Sequence, residues 1–64
     1  MTPDEERRLL ATAEWYNRRT RNHDRPSLEE IAAHFGVNGN GLAAVVVTTM
    51  VDRDLIHPSA LGHI

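Results

Sequence analysis

The chain has no cysteine, no lysine, three prolines, four glycines and a single residue each of tryptophan, tyrosine and phenylalanine in 64 residues. Without cysteine, neither a disulfide framework nor a thiolate zinc site can hold so short a chain together. A domain of this length buries only about 60% of its unfolded surface, so its core is small. No apolar run is long enough to cross a bilayer, and the opening MTPDEERR is polar, unlike a secretory signal. The expectation is one small domain over residues 1–64, in the cytoplasm, with no membrane association.

Charge is also missing from one long stretch. Between Gly36 and Val51 there is no charged side chain. The seven basic residues are all arginine, and four of them, Arg18, Arg19, Arg21 and Arg25, fall within eight positions of an otherwise acidic chain of net charge −2. Such a cluster either complements the negative end of a helix dipole or contacts phosphate.

What is present reads as helices. Thr2-Pro3-Asp4-Glu5 is a capping box with proline at the first helical position, followed by Leu9, Leu10, Ala13 and Tyr16 on one face. Trp15 falls off that face, among arginines. It is expected either to fold onto the C-terminal segment as core or to stand as an exposed aromatic suited to a partner. Ser27-Leu28-Glu29-Glu30 is a second capping box, and Leu28, Ile31, Ala32 and Phe35 make an apolar stripe that Gly36 terminates, with Val37 tucked under the turn. Asn38 or Asn40 then caps a third helix, over about residues 39–53. Leu55-Ile56-His57 has strand character, and His63-Ile64 is placed as a returning strand across the turn formers of residues 58–62.

This order of elements is that of a winged helix-turn-helix: mainly α, three helices and a short C-terminal β-hairpin wing. The segment "RPSLEEIAAHFGV" resembles the DNA-binding domain of LexA-type SOS repressors, where a proline and a small hydroxyl residue precede an E-I-A/G core and an L-G-aliphatic turn. Val46 or Val47, Met50 and Leu55-Ile56 are similar to that family's "H-L-x-x-L-x-x-K-G-L/V-I" signature, and "HPSALGHI" to its wing. Asp54 stands where the family has glycine. The third helix lacks the family's serine, glutamate and histidine, and the wing lacks Arg and Lys.

The resemblance implies sequence-specific binding of double-stranded DNA by a small bacterial or phage-type transcriptional regulator, with the third helix in the major groove. With Leu42 centring the buried face beside Val46, Thr49 and Arg53, the outward face is expected to carry Asn40, Ala43, Ala44, Val47, Thr48 and Val51. Asn40 can pair with adenine, and the aliphatic side chains can meet thymine methyls. Arg18, Arg19, Arg21, Arg25, Ser27 and Asn38 complete the expected DNA-binding set, the arginines and the start of the second helix holding phosphate. The same outward face could instead be an apolar seam for a protein partner or a second copy, as could Trp15. His23, His34, His57 and His63 lack metal-ligand spacing and no catalytic constellation is present, so no metal, no cofactor and no enzyme activity are expected.

Overall fold

The computed structural model describes residues 1–63, the side chain of His63 excepted. Its helices are α1 (Pro3–Arg21), α2 (Leu28–Phe35) and α3 (Asn40–Asp52), followed by a short 3-10 helix (Pro58–His63). Both capping boxes form. Thr2 accepts from the Glu5 N–H and Ser27 from the Glu30 N–H, and each glutamate returns a carboxylate to its cap's N–H. Gly36 ends α2 in the left-handed region (φ 96°), and the Val37 N–H reaches back to the Ala32 carbonyl at 2.9 Å. That is the closure expected when glycine follows a helix.

The core is one cluster: Leu9, Ala13 and Tyr16 from α1, Ile31, Ala32 and Phe35 from α2, Ala43, Val46, Val47 and Met50 from α3, with Ile56 and Ala60 closing the end. Thr12 is the buried polar residue. Its hydroxyl donates to the Arg8 carbonyl at 2.7 Å and therefore accepts from His34 Nδ1 at 3.3 Å, which places a proton on that nitrogen.

Four expectations are corrected. There is no β-hairpin wing: among the described residues no strand occurs, and the segment assigned to the wing winds into the 3-10 helix instead. Asp54 explains the departure in part. It adopts φ 58° and closes α3 with the Leu55 N–H on the Met50 carbonyl at 2.9 Å. This turns Ile56 into the core, and Pro58 with its fixed φ then starts the 3-10 helix. The expected returning strand would have used Ile64, which lies outside the described residues.

The second correction is the phase of α3. Ala43 and Val47, placed outward by the sequence, are fully buried, whereas Leu42 and Val45 are 52% and 59% exposed. The third is the cap. Gly39, not Asn38 or Asn40, occupies the N-cap of α3, and it offers no side-chain hydrogen bond. Leu10, read as core, is exposed as well.

Candidate nucleic-acid interface

α2 and α3 meet at 79° across the short turn from Gly36 to Gly39. Helix-turn-helix units also join two helices steeply, at about 90–120°, over a turn of three or four residues. No single helix among the described residues is long and apolar enough to cross a membrane, and most apolar side chains of α2 and α3 are buried in the core, Leu42 and Val45 excepted.

The exposed edge of α3 runs through Asn40, Gly41, Leu42, Val45, Thr48 and Asp52, with Ala44 half-buried beside it. Ala43 and Val47 leave the candidate set, since neither presents surface for a base to touch. Leu42 and Val45 enter it. Thr48 donates its hydroxyl to the Ala44 carbonyl at 2.8 Å, so toward a ligand it offers only lone pairs. Asn38 and Asn40 are exposed and line a shallow cleft against α2 together with Glu29. No arginine lines that cleft.

The arginine cluster is divided rather than pooled. Arg19 is spent within the chain: its Nε meets Asp24 at 2.6 Å, its Nη2 meets Glu30 at 2.9 Å, and it lies over the Trp15 ring. The hydrogen bond to Asp24, above all, raises its already high pKa. Arg21 donates to the Asn17 carbonyl of its own helix and Arg25 to the Ser59 carbonyl, each with further N–H groups to spare. Arg18 is exposed and makes no ion pair among the described residues. Ser27 is committed to its capping box, though its hydroxyl stays at the surface.

Trp15 is neither a core residue under a hairpin nor a bare surface aromatic. It stacks on His34, with centroids 4.4 Å apart and planes 15° from parallel. His34, itself exposed, thus bridges Thr12 and Trp15. Among the described residues no three His, Asp or Glu side chains gather as a metal site requires.

A second surface feature escaped the sequence. An apolar groove of about 200 Å³ lies between the start of α1 and α3, floored by Leu9, Phe35, Val37 and Val46 and rimmed by Met1, Leu42 and Val45. Once Leu42 is known to face outward, the groove follows from its neighbours. Among known proteins, no family model, curated protein or solved structure matches this chain.

Proposed function

We propose that the chain is a small helix-turn-helix module that binds double-stranded DNA, in the manner of a bacterial or phage-type transcriptional regulator working in the cytoplasm. The observation that carries this reading is the 79° crossing of α2 and α3, which leaves outside an edge of α3 that is free of charge from Asn40 to Thr48 and ends at Asp52. In a major groove that edge offers the Asn40 amide to adenine and the Leu42, Ala44 and Val45 side chains to thymine methyls, a pattern suited to A·T-rich sites. Phosphate contacts fall to Arg18, Arg21 and Arg25, because Arg19 is already paired.

The electrostatic contribution is correspondingly small. Three phosphate contacts at about 0.9 each give a slope of log affinity against log salt no steeper than roughly −3. Fluorescence anisotropy across a salt series, with selection from randomised duplexes, tests this. Asn40→Ala should relax preference at one base position by about 1–3 kcal/mol and leave non-specific binding in place. Recovery of no motif, with affinity indifferent to salt, would remove the reading.

A protein partner is the second reading, and the apolar groove favours it. Met1, Leu42 and Val45 are each more than half exposed around an apolar floor. A surface of that kind on a small domain suits a helix of another protein or of a second copy. Val45→Glu should abolish such an association in sedimentation experiments. A partner complex indifferent to that change would exclude the groove.

A further inference from the structure

A polar cleft of about 340 Å³ lies where the end of α1, the loop after it and residues 57–59 converge. Its lining includes His23, Asp24, Arg25, His57 and Ser59. The hydrogen bonds around it fix which atoms are left for a ligand. Arg25 Nη2 donates to the Ser59 carbonyl at 3.1 Å, anchoring the guanidinium at the cleft with its remaining N–H groups unpartnered among the described residues. The Ser59 N–H donates to His57 Nδ1 at 3.0 Å. A neutral His57 therefore carries its proton on Nε2 and presents it as a donor.

Asp24 is the carboxylate of this lining, and its charge is offset in part by Arg19, whose Nε meets it at 2.6 Å while Nη2 is held by Glu30. His23, held at φ 60° on the same rim, has an imidazole with no hydrogen bond among the described residues. The balance is a guanidinium, an imidazole N–H, a second imidazole and the Ser59 hydroxyl around a cleft whose one carboxylate, Asp24, shares Arg19 with Glu30. Guanidinium and imidazole donors lining one cleft suit oxyanions.

We infer that this cleft binds a phosphate group, with Arg25 and His57 as its principal donors. The group has two possible sources, a phosphodiester of a duplex backbone or a free phosphate monoester. The inference rests on the DNA reading only for the first source.

The test uses the full chain, followed by ¹H–¹⁵N NMR, and titrated separately with inorganic phosphate and with a short duplex against a matched chloride control. Saturable shifts confined to residues around His23, Arg25, His57 and Ser59 are expected with phosphate. Arg25→Gln should weaken binding roughly tenfold, as loss of a charge-assisted hydrogen bond does, and Arg25→Lys should recover part of it. The Arg25 side chain is exposed, so the fold should survive in both variants, which circular dichroism checks. If the duplex shifts the same residues and phosphate competes with it, the source is the backbone. If phosphate saturates the cleft while the duplex leaves it unmoved, the ligand is a free monoester, and it is the DNA reading that weakens. No saturable shift at these residues with either probe, or phosphate binding unchanged in Arg25→Gln, would overturn the inference.

Discussion

Truncating Val47 and Val45 to alanine, two positions apart on one helix, separates the two possible phases of α3. The chemical change is identical, but Val47 is fully buried and Val45 is 59% exposed. At Val47 the loss is about two buried methyl groups at ~0.8 kcal/mol each. To this is added a residual void of some 40 Å³ at ~24 cal/mol per Å³, for a total of about 2–2.5 kcal/mol. At Val45 the change stays within about 0.5 kcal/mol and tends toward stabilisation, because alanine is the better helix former. A domain this small has roughly 5 kcal/mol in all, so Val47→Ala removes near half of it and lowers Tm by roughly 10–20 °C. Thermal and urea unfolding followed at 222 nm measures both, with an unchanged urea slope as the check that only stability moved. Equal losses at the two sites, or the larger loss at Val45, would mean that α3 is turned the other way and that Ala43 and Val47 face outward after all.

Phe35→Ala should cost roughly 3–5 kcal/mol and leave the domain largely unfolded at 25 °C, since Phe35 joins the core of α1 and α2 and also carries Arg8 over its ring; a retained cooperative melt near the parent midpoint would count against this packing. Asp54→Gly should raise stability by about 1 kcal/mol, because glycine adopts φ near 58° without the strain that a Cβ brings, and a lower Tm in that variant would refute the argument. His34→Ala should free Trp15 from its stack and change its emission while secondary structure is kept; an unaltered spectrum would deny the contact. Hydrogen bonds from the Thr2 backbone and side chain hold the Glu5 carboxyl below its ordinary pKa. A lowered folded pKa means stabilisation that is present above the unfolded value and lost as pH falls through the folded one. The first turn of α1 should therefore fray on acidification below the usual glutamate range, read as faster amide exchange at Thr2, Glu5 and Glu6, and Glu5→Gln should flatten that dependence.

Much of this molecule is local and so could be read from the chain. Each capping box places donor and acceptor three residues apart, and Gly36 meets a backbone need that few other residues satisfy. The apolar stripes of α1 and α2 are bounded by charged residues, which leaves one face for the core: Leu9, Ala13, Tyr16, Ile31, Ala32 and Phe35 are buried. α3 offered no such boundary. With Leu42 to Val47 unbroken by a charge, two stripes fit the helical period equally well, and the tertiary structure selects the one with Ala43, a small residue, buried where α3 meets the other helices. The wing failed for a related reason. Leu55-Ile56-His57 has the side chains of a strand, but a strand needs a partner, and Asp54 in the left-handed region sends the chain onto the end of α3 instead. The division of the arginines was equally out of reach. Composition counted four cations in eight residues, while only the approach of the α1 end to Asp24, Glu30 and Ser59 decides which donors remain for a ligand.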